Sequence, residues 1–350
     1  MAKTGKSKID QSKVVLKRRN SRRDVLSASQ LASQLQKGDR QTLATCITLV
    51  ESTNAERNKT GLEVLKNCKR NSGKSIRIGI TGAPGAGKST FIEEFGSYII
   101  SLGHRVAVLA IDPSSTRSHG SILGDKTRMP LLSANDKAFI RPTASGGSLG
   151  GVSAKTPEVI QLCEAAGYDV ILVETVGVGQ SETAVHAMTD FFLLLALAGA
   201  GDELQGIKRG IMEMADAILV TKADGDNIKR ANLAKAQIKS ALHLFPSEES
   251  GWIPQVDSIS ALNKKGIDNA WNVVTAYQEL ARSSGYYKKK RNDQKIWWLN
   301  QLIEFEVLQN FRNAKGVQAA YTKATDQLLK GKVGVHEAVK SIIAVSKKSG

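Results

Sequence analysis

At 350 residues the chain is long enough for one large α/β domain with helical additions, or for two modest domains, so a full core is within reach. Its 49 Lys and Arg against 33 Asp and Glu leave a net charge of +16, which admits a nucleic-acid partner, a membrane surface or an acidic ligand. Cys46, Cys68 and Cys163 are odd in number and lack Cys-x-x-Cys spacing, and the longest apolar run, residues 191–200, is far below the ~18 residues that span a bilayer, so a disulfide framework, a cysteine metal site and membrane insertion are all unexpected.

Residues 1–25 hold nine basic side chains against Asp10 and Asp24, so +7 of the net charge lies in a stretch poor in large apolar residues. Residues 1–26 are expected to be a basic flexible tail. The stretch competes with a mitochondrial presequence, but it is led by lysine, contains acids and shows no amphipathic face. A cytoplasmic location is expected, or the mitochondrial matrix if the source is eukaryotic. Leu31, Leu35, Leu43, Ile47 and Val50 then recur at near-helical intervals, and Leu62 and Leu65 continue the pattern, which predicts a helical N-terminal extension over residues 27–74.

From Ser75 the pattern changes to short apolar runs at residues 76–80, 106–111, 139–140, 170–173, 191–197 and 217–220, separated by helical segments. Continuous hydrophobicity is what a parallel strand covered on both faces requires, so residues 75–282 read as a doubly wound, mostly parallel α/β domain. The basic knot Lys288, Lys289, Lys290 and Arg291 is read as solvated linker charge, since no helix-turn-helix, zinc-finger or aromatic RNA-binding pattern accompanies it, and no specific nucleic-acid partner is expected. Beyond it Trp298, Leu302, Phe305, Leu308 and Phe311 step along one helix, and residues 335–345 form another. This arm, residues 283–350, is too small for a core of its own and is expected to mediate a homodimer through Trp298, Leu302 and Phe305.

The most specific motif is Gly82, Ala83, Pro84, Gly85, Ala86, Gly87, Lys88 and Ser89, placed directly after the first strand and opening a helix. Its glycines let backbone N–H groups and the helix N-terminus hold phosphates, Lys88 reaches the β- and γ-phosphates, and Ser89 ligates Mg²⁺. Thr90, the next helical residue, belongs to the same binding stretch. Mg²⁺ keeps one or two carboxylates near by, and Asp112 and Glu174 end the strands at 106–111 and 170–173. Neighbouring parallel strands open on one crevice, which gathers Ser89, Asp112 and Glu174. Gly177 is placed to present its N–H to a γ-phosphate. Val178 follows where many GTPases keep a water-positioning Gln, so slow turnover is expected, with Gln180 the alternative group for that task. The loop at residues 114–129 suits a first switch.

Thr221, Lys222, Ala223 and Asp224 follow the strand at 217–220. A carboxylate at Asp224 accepts from guanine N1–H and the 2-amino group, whereas adenine offers an acceptor at N1 and nothing at C2. An ATPase with a fortuitous Lys-x-Asp is the alternative. Thr221 stands where this motif usually has Asn, which bears on guanine affinity. Ser260, Ala261 and Leu262 read as the further guanine-side loop.

Together these stretches resemble the MeaB/ArgK-type GTPases, metallochaperone-like P-loop proteins that serve methylmalonyl-CoA mutase. The resemblance runs from about Lys17 to the C-terminus and is carried by 82–89, 111–115, 120–129, 147–151, 174–182 and 201–208. It implies Mg²⁺ roles for Ser89, Asp112 and Glu174, sets Asp125 with them as a switch residue, and makes Lys208, in a third mobile segment at 202–208, a residue that couples the partner to hydrolysis. It implies a GTPase that gates adenosylcobalamin delivery to a cobalamin-dependent acyl-CoA mutase and protects or rescues that enzyme. The chain lacks the Asp-x-His-x-x-Gly pattern of the mutases, and its five histidines show no ligand spacing, so the cobalamin belongs to the partner. Two other classes stay open: a GTPase metallochaperone for the metal centre of another enzyme, and a stand-alone signalling or ribosome-associated GTPase. The family's older label of arginine transport finds no transmembrane or exported segment to support it.

Overall fold

A computed structural model of the chain describes residues 26–68, 73–112, 128–144, 155–175, 181–198, 209–245 and 249–347. The chain enters through α1 (Ala28–Gln36), α2 (Arg40–Val50) and α3 (Ala55–Cys68). Ser27 and Gln30 form a reciprocal capping box at α1, and Asp39 accepts from the Thr42 N–H at α2, so each start is set by a side chain that satisfies an orphan backbone donor. Leu31, Leu35, Leu43, Ile47, Val50 and Val64 face inward and share one core with the sheet.

Seven strands follow: β1 (Ile76–Gly82), β2 (Val106–Asp112), β3 (Ala138–Ala144), β4 (Val170–Thr175), β5 (Phe191–Leu197), β6 (Ala217–Thr221) and β7 (Gln255–Ser258). They form one sheet in the order β3-β2-β4-β1-β5-β6-β7, with every pairing parallel. Within the central strands alternate residues go to opposite faces: Phe191, Leu193 and Leu195 of β5 join one core, while Phe192, Leu194 and Ala196 join the other. One face is covered by α1 to α3 with α6 (Thr156–Ala165), α7 (Ser181–Met188), α8 (Arg209–Glu213) and α9 (Ile228–Leu242). The other is covered by α4 (Lys88–Ser101), α5 (Pro130–Ala134) and α10 (Ile267–Ser283). On α4 the buried Phe91, Ile92, Phe95 and Ile99 each contribute about 1.5–3 kcal/mol by leaving water.

The two edge strands exceed their apolar signal. β3 extends through Arg141, Pro142 and Thr143, and Pro142 is tolerated because an edge strand needs its donors on one side only. β7 is polar and half exposed, held by its pairing to β6.

The basic knot departs from its expected place. Residues 288–291 lie in the first turns of α11 (Tyr286–Asn313), and the Arg291 side chain is only 11% exposed. Arg291 Nε lies 2.6 Å from Asp190 Oδ1, its Nη2 donates to the Ser75 carbonyl at 2.7 Å, and Lys290 Nζ donates to the Asp190 carbonyl at 2.7 Å. Gln294, one turn on, donates to the Thr189 carbonyl at 2.9 Å. The helix root is therefore seated on the amino ends of the strands, where Glu164 and Asp190 are buried and need cationic partners. Farther along, Trp298 and Leu302 face their own chain, bounding with α3 and α6 a cavity of about 670 Å³, and Lys155 Nζ sits 5.6 Å from the Phe305 ring centroid. The opposite face of α11 exposes Ile296, Leu299, Ile303 and Val307. α12 (Val317–Leu329) and α13 (Val335–Lys347) pair with each other beyond it.

Candidate functional site

The site lies at the carboxyl ends of β1, β4, β5 and β6, where β1 is flanked by β4 on one side and β5 on the other. At Gly82 the backbone passes β5 so closely that a Cβ would meet the Leu195 carbonyl oxygen at 2.5 Å. The chain then rises through Ala83, Pro84 and Gly85, with Pro84 and Gly85 exposed at the tip, and turns under the fully buried Ala86. Gly85 and Gly87 both hold φ +81, a left-handed conformation that costs other residues about 1–2 kcal/mol. Gly87 is the N-cap of α4, and no side chain caps that helix. The first turn thus presents backbone N–H groups and the positive end of the helix dipole to an anion.

Lys88 folds back over this loop, donating from Nζ to the Gly82 carbonyl at 2.7 Å and to the Ala83 carbonyl at 3.2 Å. Burial lowers its pKa, with Glu174 and then Glu182 opposing the shift. Ser89 Oγ lies 3.5 Å from Glu174 Oε1, and Glu174 is buried. The register pairs Glu174 with Ile80 of β1 and Ala110 of β2, and a 2.9 Å hydrogen bond between the Thr175 and Thr81 hydroxyls ties β4 to β1 one residue on. By backbone register Asp112 stands at the carboxyl end of β2, one residue past the Ile111 and Thr175 pair. Thr90 is exposed on the first turn of α4. Asp125, Gly177, Val178, Gln180 and Lys208 lie outside the described residues, as do residues 114–127 of the expected switch at 114–129 and the segment at 202–208; Met129, at the end of that switch, is buried.

A hydroxyl and a buried carboxylate this close supply hard oxygen donors of the kind Mg²⁺ takes alongside phosphate oxygens and waters. Among the described residues no group of three or more His, Cys, Asp or Glu side chains could hold a metal ion by itself. The Ser89 and Glu174 oxygens fit an ion that brings further oxygen ligands with a nucleotide.

On the far side of β5 the base loop is built from two strand ends. Thr221, buried at the end of β6, donates to the Ala196 carbonyl of β5 at 3.1 Å. Lys222 is exposed and held at φ +55, and the Ala223 N–H donates to the Ile259 carbonyl at 3.0 Å. Asp224 then accepts from Ser260 Oγ at 2.5 Å, and Ser260 Oγ itself accepts from the Asn263 N–H at 3.1 Å. Ser260 and Lys265 exchange both backbone hydrogen bonds, closing a turn with Ala261 half-buried and Leu262 79% exposed at its tip. Lys264 of this turn reaches Glu94 of α4 at 3.0 Å, so the base loop is tied to the phosphate helix.

Several groups here escaped sequence reasoning. Glu182 is 1% exposed in the first turn of α7 and acts on the charge of Lys88, but an acid at a helix start is ordinarily a dipole partner. Asn227 and Lys264 carry no motif at all. Their roles depend on backbone placement across the loop.

Residues 43–316 match the family described as methylmalonyl Co-A mutase-associated GTPase MeaB. The chain belongs to this family. Among the relatives of this MeaB-family protein, a probable GTPase of Mycobacterium tuberculosis is 48% identical over 278 residues, covering 79% of this chain and 83% of that protein. GTPase ArgK of Escherichia coli K12 is 48% identical over 275 residues, with the same shares. The mitochondrial methylmalonic aciduria type A homolog of Mus musculus is 46% identical over 311 residues, covering 86% of this chain and 75% of that protein. The crystal structure of a LAO/AO transport system kinase superposes with a TM-score of 0.70 at 36% identity, over 91% of this chain and 96% of that one. This MeaB-family chain is a GTP hydrolase on an α/β P-loop fold and binds GTP and GDP. No helix among its described residues is long and apolar enough to cross a membrane.

Proposed function

We propose that this GTPase is a chaperone of a cobalamin-dependent acyl-CoA mutase, with methylmalonyl-CoA mutase the first candidate, gating adenosylcobalamin delivery and protecting or reactivating the enzyme. The observation that carries this reading is the match over residues 43–316 to a family named for association with that mutase. In this reading the P-loop, residues 82–89 with Thr90, holds the phosphates, and their oxygens replace the Gly82 and Ala83 carbonyls as acceptors for Lys88. Ser89, Glu174, Asp112 and Asp125 form the Mg²⁺ set, and the ion, when bound, neutralises charge building on the transferred phosphoryl group. Asp224, backed by Ser260, reads the guanine edge, with Lys222, Ala261 and Leu262 around the base. Val178 in place of a Gln leaves water unpositioned, so turnover without a partner is slow. A slow switch is useful when a second protein sets its rate: Gly177 presents its N–H to the γ-phosphate, Gln180 is the alternative group for positioning water, and Lys208 couples the mutase to hydrolysis. The adenosylcobalamin stays with the partner, and the chain works in the cytoplasm or the mitochondrial matrix.

Single-turnover GTP hydrolysis with and without the mutase from the same organism tests this. The expected result is a complex at micromolar concentrations and hydrolysis at least tenfold faster within it. Absence of both binding and acceleration would overturn the chaperone role and leave the GTPase standing.

A further inference from the structure

The base loop holds a strained residue without the brace its motif ordinarily supplies. Lys222 sits at φ +55, a conformation unfavourable for a side chain with a Cβ, and it must be held there for Asp224 to aim at the base. The residue before it offers little help. Thr221 has a single hydroxyl donor, and that donor is spent on the Ala196 carbonyl of β5, away from the loop. An amide at this position has two donors and an acceptor to share between strand and loop.

That missing amide reappears six residues later. Asn227 closes a short 3₁₀ turn over Gly225–Asn227, with its own N–H donating to the Asp224 carbonyl at 3.0 Å. Its side-chain Nδ2 reaches back to the Lys222 carbonyl at 2.8 Å. The peptide between Lys222 and Ala223 is thereby pinned at both polar groups, its C=O by Asn227 and its N–H by the Ile259 carbonyl at 3.0 Å. A peptide plane held at both ends cannot rotate without breaking two hydrogen bonds. Its orientation sets where the next residue, Asp224, begins.

We propose that Asn227 is a positioning residue for nucleotide specificity, bracing the Lys222 carbonyl and so aiming the Asp224 carboxylate at guanine in a chain where Thr221 cannot. The inference rests on the reading of Asp224 as the guanine contact. It goes beyond that reading by naming the group that makes the contact selective.

Two diphosphates separate the roles. Inosine diphosphate lacks the 2-amino group, so the preference for GDP over it measures how well the carboxylate is aimed. In Asn227→Ala, the Kd for Mg·GDP should rise about five- to tenfold, the Kd for inosine diphosphate by about twofold, and the GDP preference should shrink accordingly. The KM for GTP should rise with the GDP Kd while kcat stays within about twofold, because the phosphate loop is built on β1 and α4. Asn227→Asp, which keeps the shape and loses the donor, should behave like the alanine variant. Thr221→Asn in the Asn227→Ala background should bring the GDP Kd and the preference back to within about twofold of the starting protein. Unchanged GDP affinity in Asn227→Ala overturns the proposal, as does equal weakening of both diphosphates or failure of Thr221→Asn to restore the preference. Asp224→Asn is the separate control, since its amide complements the 2-oxo group of xanthine. A variant that still prefers GDP to xanthosine diphosphate contradicts the guanine contact itself, whatever Asn227 does.

Discussion

Gly82 and Gly85 are both phosphate-loop glycines, yet their surroundings differ. A Cβ at Gly82 would press on the Leu195 carbonyl oxygen at 2.5 Å, which is backbone of a paired strand and cannot swing aside. A Cβ at Gly85 would meet nothing within 4 Å, so only its φ of +81 resists substitution. Gly82→Ala should therefore destabilise the chain by about 2–3 kcal/mol and weaken Mg·GDP binding at least tenfold, because β1 must shift to relieve the contact. Gly85→Ala should cost about 1 kcal/mol. Thermal denaturation and fluorescence titration of the two variants check the contrast, and equal effects would contradict it.

At the scale of elements, α6 carries two buried glutamates that titrate in opposite senses. Glu164 meets Arg77 at 2.9 Å, the Ser75 hydroxyl at 2.6 Å and Arg291 at 3.7 Å. Burial alone pushes its pKa up, but Arg77, Ser75 and Arg291 together hold it below the ordinary 4.5. Glu158, nearly two turns earlier, has Lys155 at 3.8 Å and the unfavourable charge of Glu306 from α11, and burial pushes its pKa up to about 7. The consequences for stability have opposite signs. The contribution of Glu164 is complete above pH 4.5 and is lost as pH falls through its lowered folded value. Glu158 holds its proton more tightly when folded, so it subtracts stability progressively as pH rises from 4.5 to about 7. Glu158→Gln should accordingly stabilise the chain at pH 8, by up to about 3 kcal/mol, and change little at pH 4.5. Glu164→Gln should destabilise at pH 8 by about 3–5 kcal/mol, since it strands two arginines. Urea denaturation of both variants at the two pH values reads this, and shifts of the same sign at pH 8 would refute it.

For the whole molecule the decisive element is α11, which leaves the sheet rooted in buried ion pairs and carries an apolar stripe outward. The stripe is Ile296, Leu299, Ile303 and Val307, and the paired helices beyond add exposed Val335, Val339 and Ile343. Trp298, Leu302 and Phe305, from which a dimer is expected on sequence grounds, sit on the half-buried side, where Trp298 and Leu302 bound the cavity on α3 and α6. If the arm joins two copies, the exposed stripe is the surface available to do it. Light scattering of the full chain should give the mass of a dimer at micromolar concentration, and Leu299→Glu with Ile303→Glu should give a monomer. A dimer unaffected by the double substitution would place the interface elsewhere.

Features that depend on local spacing are readable along the chain. The phosphate loop needs eight consecutive residues between a strand and a helix, and buried parallel strands must be apolar throughout, so β1, β2, β4, β5 and β6 were legible within a residue or two at their ends. Glu174 was legible as a strand-end acid, and the structure brings it to 3.5 Å from Ser89. The edge strands were only partly visible, because an edge is held by pairing on one side and tolerates Pro142 in β3 and the polar run of β7. Tertiary structure alone decided the fate of the charges. Lys290 and Arg291 look like solvent-facing residues in any window of sequence, and they become interior groups because Glu164, Asp190 and Ser75, distant in the chain, meet at the amino ends of the strands and need cations. Lys264 likewise acquires its partner Glu94 only when the turn after β7 meets α4, whereas Asn227 finds the Lys222 carbonyl within its own loop, through the turn that follows β6. Hydrophobic burial is written in periodicity along the chain, whereas the pairing of a charge or an amide is set by which strands end beside one another.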